Sequence, residues 1–372
     1  MSSRSYLAWN MTEAAAYEDE RREQGNFQAG MRMMLGNPLE HISENNFIKE
    51  YRLTKEAFED LCDLLRDHTE LKSTQRVSLE AKVLCALLFY AHGSYQRVTG
   101  KALHFSQEAL SIYIHEVTTA LNHPNILKRF IKFPTTRQQR DKIKQSFYIK
   151  YGIPGVIGCI DGSHFKIFTP CKEEEHLYFC RKNYHSMNVQ MICDSNCVIL
   201  SVNAKFGGSC HDSFIWENSD VNNYIMNTLH RHNEIVWLLG DSGYPQRPWL
   251  MTPYLDTIQN SIEDTYNTAH ISARVVIENT FGRLKNRWRC VHRDRTLHYQ
   301  PVKCSRIIIA FCVLHNIALK YNIPDPEDDS NAGDHQEPCE QHEVVMENEG
   351  ARRDLLMGRV FRDRLARRIT RR

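Results

Sequence analysis

The chain has little of what would settle its class at a glance. No apolar run approaches the ~18–20 residues of a membrane-spanning helix, and no charged-then-apolar leader opens it, so neither a membrane span nor a secretory signal is expected. Its 12 cysteines include no repeated close pair followed by paired His or Cys, the spacing that makes a zinc site convincing. They are scattered through apolar runs (Cys62, Cys85, Cys159, Cys312), and Cys193 with Cys197, Cys290 with His292 and Cys312 with His315 are suggestive only locally. Packed, reduced, intracellular thiols are the expectation rather than a disulfide framework or structural zinc. Net charge is scarce too: +2 gives no argument for a nucleic-acid partner, and only its uneven distribution informs.

What is present suffices for a core. At 372 residues the chain exceeds the usual single domain, and 42% hydrophobic with 25% charged residues is ordinary globular composition, so two units or one elaborated domain are expected. In GVIGCIDGSHFKIF (155–168), Val156, Ile157 and Ile160 lead into Asp161 and Gly162, as in a buried strand that delivers a carboxylate to its end. A turn aspartate in a hairpin would read the same way. IVWLLGDSGYP (235–245) repeats the pattern and ends on Asp241. In ISARVVIENTFGRLKNRWR (271–289), Ile277, Phe281, Leu284 and Trp288 mark one face of an amphipathic helix, and beside it Glu278 shares a face with Arg274. Two strand-end aspartates and a helix-borne glutamate are the hard oxygen donors that hold divalent cations, with water and substrate phosphate completing the shell. Two such ions ~3.5–4 Å apart can clamp the attacking and leaving oxygens of a phosphodiester.

IDGSH, GDSGYP and IENTFGRLK resemble the D…D…E signature of PIF/Harbinger-type transposases and of the harbinger transposase-derived nucleases of animals. RKNYHSMN (181–188), GGSCHDS (207–213), WLMTPY (249–254) and CVLHNIAL (312–319) resemble further segments of that family in the same order, and the likeness covers residues 40–322 or thereabouts. The resemblance implies an α/β fold: a ribonuclease-H-like mixed-sheet catalytic core preceded by a helical, helix-turn-helix-like domain. It implies Mg2+- or Mn2+-dependent cleavage of DNA, and joining of DNA ends, at Asp161, Asp241 and Glu278, with Asp212 a candidate further metal ligand. It also implies a Myb-like or trihelix DNA-binding partner protein and a place in the nucleus, and it leaves room for a homo-oligomer. The alternative is a domesticated, catalytically silent DNA-binding or scaffolding protein, against which the intact acidic set argues.

Along the chain, residues 1–40 read as a polar arm and 41–149 as a helical domain with its connector. Thr54, Ser78 and Ser106 each open a periodic helix. If the last of these entered a DNA groove it would present Gln107, Ser111, His115 and Thr118; a plain helical bundle fits the same pattern. The nuclease core spans 150–322. Within it, Lys172, Arg181 and Lys182 interleave with Tyr178, Phe179 and Tyr184, a mixture that suits a nucleic-acid backbone and its bases. Residues 187–206 read as a hairpin about Asp194-Ser195-Asn196, and the stretch from Tyr244 to Thr268 as an irregular loop. Arg283, Lys285 and Arg287, continued by Arg289 and Arg293, put cations near the acids, where DNA would otherwise be repelled. The run 307–319 reads as a core helix with a hydrogen-bonded His315. Residues 323–349 form an acidic linker of disordered composition, and 350–372 a basic tail whose arginines suit nuclear import, DNA phosphates or a contact with that linker.

Overall fold

Hydroxyl side chains set the helix starts in the first half of the chain, because the opening N–H groups of a helix have no partner inside it. Thr54 caps α2 (Lys55–His68), Ser78 caps α3 (Leu79–His92) and Ser106 caps α4 (Gln107–Leu121); α1 (Glu44–Tyr51) precedes them and is capped by Ser43. α5 (Arg137–Tyr151) opens with a reciprocal box between Thr136 and Gln139. This computed structural model describes residues 38–93, 96–292, 295–326 and 349–370. The arm up to residue 37, the acidic stretch 327–348, and Arg293, Arg371 and Arg372 lie outside the described residues.

The sheet has five strands, β1 (Val156–Lys166), β2 (Ser186–Cys193), β3 (Ile199–Gly207), β4 (Trp237–Leu239) and β5 (Leu250–Met251), in the order β3-β2-β1-β4-β5. β2 runs antiparallel to both β1 and β3, while β4 lies parallel to β1 and β5 parallel to β4. This mixed sheet with helices on both faces is the ribonuclease-H-like architecture. The β2–β3 turn is closed by Asp194, whose Oδ1 accepts the N–H groups of Asn196 (2.7 Å) and Val198 (3.0 Å). β5 carries only two residues, too few for an alternation to show in the sequence.

The helix α7 (Ile262–Arg287) begins earlier than expected. Residues 262–268 belong to it rather than to a loop because Ser261 accepts the Asp264 N–H and Glu263 and Asp264 favour the positive end of the helix. α8 (Pro301–Lys320) follows. One window of it, with mean hydropathy 1.6, is long and apolar enough to cross a membrane, contrary to the expectation; 67% of that window is buried inside the protein. His315 sits in it, buried, with Nε2 2.9 Å from the Cys197 carbonyl. The helical first half is not a separate layer: Tyr90 of α3 stands edge-on to both Trp288 and Phe311, which stack on each other at 5.7 Å. Thr118 of α4 is only 2% exposed and pairs with the Tyr90 hydroxyl at 2.6 Å, so it faces the core and not a DNA groove.

The basic terminal stretch forms α9 (Glu349–Thr370), which docks on the core. Leu365 and Ala366 are buried, Arg362 donates to the Pro253 carbonyl (2.9 Å), and its guanidinium lies 3.9 Å from the centre of the Tyr254 ring.

Candidate active site

The pairing of β1 with β4 decides where two of the acids go. Cys159 is opposite Leu239 in the parallel register, so Asp161 and Asp241 each follow that pair by two residues at the carboxyl side of neighbouring strands. β4 ends there, and the β1 edge is next met on that side, among the described residues, by Leu297 opposite Ile167. The intervening stretch of edge is open to α7. Asp161 is 1% exposed; its Oδ1 accepts the Gly162 N–H (2.9 Å) and its Oδ2 a bond from Arg274 (2.9 Å). The same guanidinium reaches Glu278 Oε1 at 3.2 Å, one helical turn on. Asp241 starts a tight turn in which its Oδ1 accepts the Gly243 N–H at 3.0 Å.

Asp212, the first residue of α6 (Asp212–Glu217), arrives from the other face of the sheet. Its Oδ1 accepts from Asn188 Nδ2 at 2.8 Å and lies over Gly162, where a Cβ would come within 2.1 Å of it. Only glycine leaves room for that carboxylate. Gln190, next but one along β2, bonds the Asp212 carbonyl (3.3 Å) and the buried Tyr244 hydroxyl (3.1 Å).

Electrostatics tie the acids together. Burial pushes the Asp161 carboxyl up to about 7; Arg274 works against this, and the charges of Asp241 and Asp212 add to it. Burial likewise raises Asp212 to about 6, opposed by its bond from Asn188 and aided by Asp241. Burial disfavours the Arg274 cation, but Asp161, Asp241 and Glu278 outweigh it and hold the guanidinium charged. Among the described residues, no three His, Cys, Asp or Glu side chains form a ready cage for a metal ion. Arg274 stands between Asp161 and Glu278, and both aspartates turn an oxygen to the backbone. The donor chemistry nonetheless suits a hard divalent cation: carboxylates gathered at one strand edge, plus the Asn188 Oδ1, buried and without a hydrogen-bond partner. The bonds made by the Asn188 amide nitrogen fix which end of that amide is oxygen.

The expected DNA-contacting cations divide. Burial, with the charges of Lys285, Lys182 and Arg181 adding to it, holds the His164 imidazole down at about 4. Lys285 Nζ bonds Ser163 Oγ at 2.8 Å at the open edge of β1. Lys172 is exposed in the loop after β1. Arg287 and Arg283 need correction. Arg287 is 2% exposed and donates to the carbonyls of Ile323 and Pro324 and to Asp325, so no phosphate can reach it. Arg283 bonds the same Asp325 at 2.6 Å, on the side of the helix away from the acids. Gly162, Asn188 and Gln190 escaped the sequence reading. Polar residues at alternate positions of an otherwise apolar strand (Met187, Val189, Met191) were the available signal.

Comparison with known proteins identifies the family. A family described as "DDE superfamily endonuclease" matches residues 160–316, and a "Domain of unknown function (DUF8040)" matches residues 37–123. "Putative nuclease HARBI1" of Bos taurus is 36% identical over 289 residues, 77% of this chain and 80% of that protein. Its Homo sapiens counterpart is 34% identical over 314 residues, 83% and 87% of the two chains. "Protein ALP1-like" of Arabidopsis thaliana is 25% identical over 317 residues, 80% and 75% respectively. No protein of solved structure matches the chain. With a third of its residues shared over most of both chains, the chain belongs to the DDE superfamily endonucleases, in the harbinger transposase-derived group that contains HARBI1.

Proposed function

We propose that the protein is a divalent-metal-dependent DNA endonuclease, able to join as well as cut DNA phosphodiesters. The observation that carries this reading is that Arg274 bonds both Asp161 and Glu278 at an open strand edge, with Asp241 following the neighbouring strand at the matching position and Asp212 pressed against Gly162. Asp161, Asp212, Asp241 and Glu278 would hold Mg2+ or Mn2+. Bound there, the metal would supply positive charge that acidifies water and offsets the negative charge on the phosphate oxygens. Lys285, Arg181 and Lys182 attract the DNA backbone toward acids that would repel it, and Lys172 extends that attraction along the loop after β1. Arg274 favours the ionised form of the buried Asp161 against its burial, and it bonds Glu278 as well. His164, neutral at physiological pH and bonded to Ser186, is not needed as a base. Work in the nucleus beside a Myb-like DNA-binding partner belongs to the same proposal and rests on the family likeness.

A plasmid nicking assay with Mg2+ or Mn2+ tests it. Asp241→Asn should reduce nicking by about a thousandfold or more, with the fold retained by circular dichroism. Full activity in that variant defeats the assignment, and an inactive wild-type protein that still binds DNA returns the reading to a silent, scaffolding descendant.

A further inference from the structure

The part of β1 beyond Asp161 alternates. Ser163, Phe165 and Ile167 are buried, whereas Gly162, His164 and Lys166 are partly open and Phe168, just past the strand, is 58% exposed. These four outward residues form a row that starts beneath the Asp212 carboxylate and runs for roughly 20 Å at the strand rise of ~3.3 Å per residue. The row carries cations and rings together. Lys166 Nζ lies 5.1 Å from the centre of the Tyr184 ring, and Tyr184 stands edge-on to His164. At the far end Phe168 stacks on His298 at 5.5 Å and 30°. Next to it, His185 lies 3.4 Å from Thr169 Oγ1 and edge-on to Phe179, which is 46% exposed.

An open aromatic face can stack on a base only if that base has a free face of its own. Bases inside a duplex have none, because each is already stacked on both sides, whereas an unpaired base offers one whatever its identity. Cations along the row neutralise the phosphates of such a strand. We infer that the outward row of β1 is a track for unpaired DNA leading from Asp212, with Phe168 on His298 as the stacking platform at its end. The inference deepens the nuclease reading and rests on it: the substrate becomes DNA opened beside the cut, not an intact duplex.

The test is fluorescence anisotropy in the presence of chelator, comparing a blunt duplex with the same duplex carrying a single-stranded overhang that contains a fluorescent adenine analogue. The wild-type chain should bind the overhang DNA about tenfold or more tightly and quench the analogue by stacking. Phe168→Leu keeps apolar bulk but removes the ring; it should lose the preference and the quenching while blunt-duplex affinity stays the same, and Phe168→Trp should restore both. Equal weakening toward both DNAs, or no preference in the wild type, overturns the track. If that happens while wild-type nicking with Mg2+ persists, the track alone fails. If the preference holds but nothing is cut, the nuclease reading fails and the track stands.

Discussion

Arg274 and Arg287 are well-buried arginines of the same helix, α7, yet one serves the acids and the other the scaffold. Helical phase divides them. At ~100° per residue, Glu278 and Lys285 fall within roughly 40° of Arg274, while Arg283 and Arg287 are turned by roughly 180° and 220°. The first group faces the open edge of β1; the second faces Asp325 and the carbonyls of Ile323 and Pro324. A basic stretch on a helix is therefore two sets of cations, and counting them together hides which can meet a phosphate.

The comparison can be broken most forcefully at Arg287. Arg287→Ala removes a buried cation together with its bonds to Asp325 and three carbonyls, including that of Arg52, and should cost about 3–5 kcal/mol in urea unfolding. DNA affinity of the folded fraction should be unchanged. Lost DNA binding at unchanged stability would put Arg287 with the site after all.

The two arginine groups also hold down different histidines. Burial, with Arg274 and Arg362 adding, lowers His270 to about 4; burial, with Arg287 and Arg283 adding, lowers His315 to about 4. Both are neutral in the fold and titrate near 6.5 once unfolded, so their contribution is complete above pH 6.5 and is lost as pH falls from there towards 4. Each is worth about 3 kcal/mol at most. Melting temperature followed over that window should drop steadily, and His315→Gln should flatten the slope. A slope unaltered in that variant assigns the acid sensitivity elsewhere.

The smallest effects sharpen the contrast within α7. Lys285→Ala should weaken DNA binding severalfold and lower the salt slope of log affinity by about one, while Arg283→Ala should leave the slope unchanged. Equal slopes in both variants would erase the distinction between the two faces.

Much of this site was legible because its acids sit where local pattern ends: apolar runs stop at Asp161 and Asp241, and Glu278 borders a helical stripe. The hairpin could be read for the same reason, from two strand-like runs about Asp194. What stayed hidden depends on contacts between distant segments. Gly162 matters because Asp212, fifty residues on, lies against it, and Asn188 because it bridges that carboxylate to the sheet. Thr118 matched the polar face of a groove-reading helix, yet Tyr90 draws it inward. For Arg287 the missing information was phase, which the sequence does contain once positions are counted round the helix rather than along it.

Calorimetric titration with Mg2+ above pH 7, where Asp161 is ionised in the fold, addresses the gathering of the acids most directly. Wild-type protein should show saturable binding that both Asp161→Asn and Asp241→Asn abolish while their melting curves remain cooperative. Binding undiminished in those two variants, or absent from the wild type, would contradict a metal held between these strands.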